Sequence, residues 1–244
     1  MAGRFALRTK IMERKRTFNN FVLIKLDPDN DKIRLTSGME IYIDNTFDVE
    51  KNAVVTGEVA GLPSRLEYTG IANKGMPWLT DMELDYGDHI IMYYLSVVNA
   101  LKPENRNLII EGNDRYVAIK YQYLYAKYGQ GFVIPLNGYC LVEPADDPYW
   151  TETKKRLNAV GLQAVKNEQK SKYNTVFGKI RYLGKPNREY VDEGATDEGC
   201  DVNIGDTVVM RRISDIPLCY DLHSKIDKGV KLWRVQRRNI LAKI

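Results

Sequence analysis

The chain repeats an ordered series of sequence landmarks at an interval of about 118 residues, and this repetition limits what it can fold into. The apolar run at residues 21–26 returns at residues 139–144. A Gly-Asp pair followed by an apolar run begins at Gly87 and returns at Gly205, which is 118 residues later. Unrelated strands have no reason to keep both their order and their spacing. The sequence therefore predicts two copies of one domain.

Local composition predicts that each copy is built from β-strands. Short runs rich in Val, Ile and Tyr are bounded by Gly, Pro, Asn and Asp, which is typical of all-β domains. Closing strands are predicted at residues 115–122 and 230–235. One helix is predicted, at residues 151–164, where Leu157, Val160 and Gly161 share a face.

The predicted organisation is an N-terminal arm and two domains joined by a short connection. The arm covers residues 1–16, the first domain residues 17–127 and the second residues 132–244. Two glycines within residues 128–131 indicate the connection. With 244 residues, 44% of them hydrophobic, the chain can bury two cores of ordinary size.

Composition also indicates a compartment. No apolar run approaches the roughly 18 residues of a membrane-spanning helix, and the first residues lack the apolar segment of a secretory signal. The three cysteines, Cys140, Cys200 and Cys219, form no CxxC pair. These features predict a cytoplasmic protein that does not bind membranes.

Catalytic chemistry is not indicated. The two histidines, His89 and His223, cannot assemble a triad or a multi-histidine metal site. The segment from Gly178 to Lys185 imitates a phosphate-binding loop, but Pro186 stands where a magnesium-binding Ser or Thr is needed. We therefore predict no catalytic residue, no metal and no cofactor.

The first sixteen residues form a basic arm that contains a single acid, Glu13. Such an arm can contact nucleic acid, an acidic neighbouring subunit or an import receptor, or it can be a solvated leader. These alternatives stay open. The basic residues of the arm are Arg4, Arg8, Lys10, Arg14, Lys15 and Arg16.

In each half of the chain, the order of the landmarks resembles the order found in the GroES co-chaperonin family. Residues 137–142, the Gly178-Lys179-Ile180 triplet, residues 204–209 and residues 238–244 carry the resemblance in the second copy. It covers residues 17–244 and resembles the tandem co-chaperonins of plastids. The resemblance implies two tandem GroES-like β-barrels with long loop insertions, and a homo-oligomeric ring that caps an ATP-driven chaperonin and assists protein folding.

In that family a long loop carries a glycine followed by a three-residue apolar tooth that inserts into the chaperonin. The corresponding segments here are residues 27–54 and 145–175. Loops of this length without secondary structure are usually functional or disordered. The resemblance assigns partner binding to nine residues, namely Gly38, Met39, Ile41, Tyr42, Ile43, Gly161, Leu162, Ala164 and Val165.

A second function stays open because both teeth depart from the family pattern at the same place. Glu40 and Gln163 occupy the middle of the tooth, where burial of a polar group is unfavourable. Apolar and polar residues also alternate over residues 39–44, which is typical of an ordered strand. The alternative is a structural ring or connector of a tailed-phage virion, assembled in the host cytoplasm and contacting neighbouring structural proteins.

Overall fold

The computed structural model describes residues 15–27, 32–34, 40–42, 54–68, 76–146, 148–161, 177–188, 202–211, 216–217 and 230–244. These residues form a mainly β protein, which confirms the predicted class. The strands of the first half are β1 Lys15–Thr17, β2 Phe21–Leu26, β3 Lys32–Arg34, β4 Glu40–Tyr42, β5 Thr56–Pro63, β6 His89–Met92, β7 Leu108–Glu111, β8 Asp114–Lys120 and β9 Leu124–Gly129. Those that follow are β10 Phe132–Pro135, β11 Tyr139–Pro144, β12 Phe177–Leu183, β13 Thr207–Met210, β14 Ile216–Pro217, β15 Trp233–Gln236 and β16 Ile240–Lys243.

The two main sheets share one strand order. The first sheet runs β10-β9-β6-β5-β2-β8-β7, with β1 added in parallel to β5. The second sheet runs β14-β15-β11-β12-β13-β16. If β2, β5, β6, β8 and β9 are matched with β11, β12, β13, β15 and β16, the five-strand orders are identical.

Irregularities of pairing recur at matched positions. The β2–β5 pairing shifts register between Leu23 and Ile24, and the β11–β12 pairing shifts between Leu141 and Val142. The β6–β9 pairing and its counterpart β13–β16 also shift, after Ile91 and Val209 respectively. A β-bulge is a specific local feature of a strand pair. Its repetition extends the sequence repeat to the level of the backbone.

The described strands form two open sheets, not the closed barrels that we expected. Strand β9 is paired on one side with β6 and on the other with β10, and β8 is flanked by β2 and β7. A strand has only two edges for main-chain hydrogen bonds. Strands β8 and β9 therefore cannot meet to close the first sheet.

The predicted connection at residues 128–131 is a hairpin that belongs to the first sheet. Strand β9 ends at Gly129, and β10 returns antiparallel to it from Phe132. Residue Gly131 has φ +81°, a conformation that favours glycine. The second predicted domain thus begins with a strand of the first sheet.

One helix was missed, and the predicted one is shorter than expected. Helix α1, Tyr94–Leu101, follows β6 and buries Val97 and Ala100, although its β-branched residues favoured an extended segment. Helix α2, Pro148–Ala159, starts earlier and ends earlier than predicted. The chain after α2 turns at Gly161, with φ +77°.

We predict different effects of alanine at the two matched glycines of β5 and β12. A Cβ at Gly57 would overlap the Lys25 carbonyl oxygen and lie 2.7 Å from Ile24 Cγ2, whereas at Gly178 it would lie 3.1 Å from Met210 Cε. Gly57→Ala should lower the free energy of unfolding by about 2 kcal/mol or more because the backbone cannot yield. Gly178→Ala should stay within about 1 kcal/mol of wild type because a methionine side chain adapts. Urea unfolding of both variants measures the difference, and equal losses would contradict it.

Candidate assembly surface

The residues predicted to bind a partner fall only partly within the described chain. Ile41 and Tyr42 lie in β4, which pairs antiparallel with β3 inside the first insertion. An ordered strand at this position agrees with the alternation seen in the sequence. Gly161 lies in the turn after α2, inside the second insertion, and its N–H donates to the Asn158 carbonyl at 3.1 Å. The other predicted binding residues, Gly38, Met39, Ile43, Leu162, Ala164 and Val165, lie outside the described residues.

Two residues of the basic arm are described, and both lie in β1. Lys15 forms an ion pair with Glu111, and its ammonium lies 4.4 Å from the centre of the Tyr116 ring. Arg16 is exposed. Lys15 is therefore held within its own chain, while Arg4, Arg8, Lys10 and Arg14 lie outside the described residues.

A buried contact surface lies between the two sheets, and we call it the joint. It forms where β10 leads into β11. Here the Leu136 N–H donates to the Tyr125 carbonyl at 2.8 Å, and the Tyr125 and Tyr139 rings lie 5.2 Å apart. Leu136 and Leu141 belong to the same buried cluster as the core of the first sheet. The core of the first sheet therefore extends onto the second sheet, which also has a smaller buried cluster of its own, formed by Cys140, Val142, Ile180, Val208, Met210 and Val235.

An arginine of the second sheet is inserted among tyrosines at the joint. The Arg234 guanidinium lies 4.4 Å from the Tyr125 ring centre, 5.2 Å from Tyr139 and 5.5 Å from Tyr93. It also donates a hydrogen bond to the Tyr139 hydroxyl at 3.1 Å. Contact with several aromatic faces stabilises a partly desolvated cation. Arg234 of β15 therefore contacts tyrosines that belong to both sheets.

Asn137 is fully buried and serves both sheets. It adopts φ +57°, which asparagine tolerates better than most residues. Its side-chain NH₂ donates to the carbonyls of Tyr121 and Leu124 at 2.8 and 3.0 Å. Its backbone carbonyl accepts a hydrogen bond from the Gln236 side-chain amide at 3.0 Å. Because buried polar groups are costly when unpaired, these bonds fix the position of the turn.

A carboxylate completes this polar network. Glu83 Oε2 accepts a hydrogen bond from the Asn137 N–H at 2.8 Å. Burial raises the pKa of Glu83, and the hydrogen bond from Asn137 opposes that rise. Lys127 donates to the Glu83 carbonyl at 2.9 Å and to Asp88 at 3.1 Å. The Glu83 carboxylate and the Lys127 ammonium are thus each hydrogen-bonded to a backbone group.

The chain before Glu83 also reaches across the joint. Trp78 packs edge-on against Tyr139, with ring centres 6.1 Å apart, and the Arg238 guanidinium lies 5.3 Å from the centre of the Trp78 ring. Further along, the Arg188 N–H donates to the Leu79 carbonyl at 2.7 Å. None of these contacts was predicted, since each joins residues far apart in sequence. The only sequence signal was the abundance of tyrosine and arginine.

Large apolar side chains are exposed at the margins of the sheets. Phe18, just after β1, is 71% exposed, Ile110 of edge strand β7 is 66% exposed and Leu241 of edge strand β16 is 59% exposed. Among the described residues β7 and β16 are outer strands of their sheets, and an outer strand is where another strand can pair and cover such side chains.

The described part of the chain offers no grouping of three or more His, Cys, Asp or Glu side chains able to hold a metal ion. Neither of its helices has the length and apolar character needed to cross a bilayer. No protein-family model matches the sequence, and a search of curated proteins finds no relative.

We predict a pH-dependent gain in stability for Glu83→Gln. The amide oxygen can still accept from Asn137, while the cost of burying a charge is removed. Because folding raises the Glu83 pKa, this residue lowers wild-type stability progressively as pH rises through its folded pKa. The advantage of the variant in free energy of unfolding should therefore be largest at pH 7–8 and shrink towards pH 4. Urea unfolding over that range tests this, with Glu104→Gln on the exposed surface as control.

Proposed function

We propose that this chain is a non-catalytic, ring-forming β protein that presents two long insertions to a partner ring, in the manner of a co-chaperonin cap. The proposal includes the finer assignment of each half to a GroES-like unit. That assignment is supported by the five-strand order found in both sheets. In this chain, β9 continues its pairing onto β10 instead of closing a barrel.

The observation that carries the proposal is that the two insertions leave the sheets at matched points. The first follows β2, and its entry is clamped by the Asp27 N–H, which donates to the Thr56 carbonyl at 3.2 Å. The second follows β11, and the Ala145 N–H donates to the Phe177 carbonyl at 3.0 Å. Each sheet thus holds the base of a long segment at the same place.

This arrangement suits binding by several weak contacts at once. A segment that becomes ordered on a partner loses conformational entropy of about 1 kcal/mol or more per residue, which limits the affinity of one insertion. A ring that displays many insertions restores affinity through effective concentration. Since the joint fixes the two sheets together, the bases of the two insertions in one chain have a fixed relative position.

A structural ring or connector of a phage virion is the second candidate, and one observation favours it. The described parts of the two insertions differ, because the first contains the β3–β4 hairpin and the second contains α2. Two equivalent chaperonin-binding loops need not differ in this way. In a permanent assembly each insertion would contact a different neighbour, and the two insertions would then be expected to differ.

The experiment combines limited proteolysis and electron microscopy on the full chain, alone and with a purified bacterial chaperonin and nucleotide. The co-chaperonin proposal expects cleavage within residues 27–54 and 145–175 in the free protein, and protection when chaperonin and nucleotide are both present. Ile41→Asp should abolish protection because a second charge, next to Glu40, would replace one of the apolar side chains of the tooth. Ile204→Asp, in the turn before β13 and outside both insertions, is the matched control because Ile204 is 67% exposed, and it should leave protection unchanged.

Two other results separate the alternatives. Rings that resist cleavage without chaperonin, and that do not bind it, would support the structural assembly and exclude the cap. A chain that stays monomeric at all concentrations and binds no chaperonin would overturn both.

A further inference from the structure

We propose that the Asn137-Gly138 pair is a deamidation site that the joint keeps closed, and that reaction at this site prevents the joint from forming again. The inference concerns the joint within one chain and does not rest on the proposed ring. Through this reaction the chain would record chemically how long its two sheets have been apart.

The sequence supplies the reactive pair. Asparagine is thermolabile because its side-chain amide can be lost. The N atom of the next residue attacks Cγ of the asparagine, ammonia leaves and a succinimide forms, and water then opens that ring to aspartate or isoaspartate. A water molecule is thus consumed for each ammonia released. The attack is fastest before glycine, which has no Cβ to obstruct it, and Asn137-Gly138 is the one Asn-Gly pair in the sequence.

In the folded chain the leaving group of this reaction is held in place. The Asn137 side chain is 0% exposed, and its NH₂ donates to the carbonyls of Tyr121 and Leu124. Departure of ammonia would break both hydrogen bonds, and opening of the succinimide would need water at a place that both sheets cover. We therefore expect the pair to be unreactive while the joint is closed.

The matched turn of the first half combines exposure with a less reactive pair. Asn19 and Asn20 lie 118 residues before Asn137 and Gly138, and the four φ angles are +54°, +62°, +57° and +69° in chain order. Asn19 is exposed, but the residue after it carries a side chain that obstructs the attack. Of these two matched turns, only the one buried at the joint has glycine after the asparagine.

Packing at the joint explains why residue 138 is glycine. A Cβ at this position would lie 2.5 Å from Asn187 Oδ1, and Asn187 is itself buried. The Gly138 carbonyl also accepts a hydrogen bond from the Arg237 N–H at 2.9 Å. The close approach that builds the joint therefore also creates the reactive pair.

The product of the reaction cannot replace asparagine in these contacts. An aspartate at residue 137 has no N–H in its side chain, so the Tyr121 and Leu124 carbonyls would each face a carboxylate oxygen. The Glu83 carboxylate, which accepts a hydrogen bond from the Asn137 N–H, would add a like charge. Isoaspartate would also lengthen the main chain within a tight turn. Because unpaired polar groups are costly to bury, the joint should stay open after the reaction.

Mass spectrometry of the ageing wild-type chain tests the site and its closure. The full chain is kept at pH 8, folded in buffer or unfolded in guanidinium chloride, and the conversion of each asparagine is followed in peptide digests. In the unfolded chain, Asn137 should convert about tenfold faster than Asn19, because glycine does not obstruct the attack. In the folded chain, Asn137 should convert about tenfold more slowly than in the unfolded chain, because the reaction needs a sparsely populated opening.

Two results of that measurement would contradict the inference. Equal rates at Asn137 and Asn19 in the unfolded chain would overturn the site. Equal rates at Asn137 in the folded and unfolded chains would overturn its closure.

A variant that loosens the joint tests the closure independently. Arg234→Ala removes the contacts of the guanidinium with three tyrosine rings, and it should accelerate conversion of Asn137 in buffer by about tenfold. Lys231→Ala, at an exposed position before β15, is the matched control and should leave the rate unchanged. Far-ultraviolet circular dichroism verifies that both variants are folded. The same rate in both variants would contradict closure by the joint.

Hydrogen exchange of refolded chains tests the consequence. Wild-type chains are aged in guanidinium chloride until part of residue 137 has converted, and they are then refolded together. Chromatography separates the converted and unconverted peptides that contain Leu136 and Tyr139, whose N–H groups donate at the joint. These amides should exchange about tenfold faster in converted chains, because their hydrogen bonds require a closed joint. Equal exchange in the two forms would overturn the claim that the reaction keeps the joint open.

Asn137→Asp supplies the aspartate product as a pure protein. In this variant the amides of Leu136 and Tyr139 should exchange rapidly, while those of β2 should stay protected because the first sheet still forms. Loss of protection in β2 as well would overturn the restriction of the effect to the joint. Each readout is made within one chain, so failure of the proposed ring would leave this inference standing.

Discussion

The main-chain pairing of β9 with β10 is the contact on which the rest of the structure depends. Strand β10 precedes β11 directly, so its place in the first sheet fixes where the second sheet begins. Leu136 and Tyr139 then enter the core of the first sheet. Because that core is shared, movement of one sheet against the other would expose apolar surface and is opposed by the hydrophobic effect.

The polar groups at the joint add specificity to this apolar contact. Apolar contact alone tolerates sliding, whereas Asn137 must meet the carbonyls of Tyr121 and Leu124 and also Gln236. Arg234 reaches its tyrosines in one arrangement only, since a cation must lie over the ring faces. Buried charge such as that of Glu83 costs stability, but it penalises any arrangement that leaves the charge unpaired.

The sequence predicted the features that depend on local pattern and repetition. The opening strands, the strand at the Gly178-Lys179-Ile180 triplet and the strand after each Gly-Asp pair lie where expected. These features could be predicted because hydrophobic pattern and turn residues determine structure over a few neighbouring positions. Helix α1 was missed because its Val and Tyr residues favour strands and only burial of Val97 and Ala100 selects the helix. No short sequence pattern predicts the joint, the opening of the sheets or the contacts of Arg234. Each of them depends on contacts between segments that are far apart in the sequence. The predicted binding residues of the two insertions stay predictions.

Duplication within one chain has a physical consequence for assembly. A single-copy subunit must form every contact of a ring from separate molecules, and each contact costs translational and rotational entropy. In this chain the β9–β10 hairpin has a turn of two residues, so the contact between the two sheets forms as the chain folds and does not carry that cost. The two copies are also free to differ, since some positions are covered at the joint while their counterparts are exposed. The buried Leu136 and Tyr125 beside the exposed Phe18 and Leu241 show the same positions in these two situations.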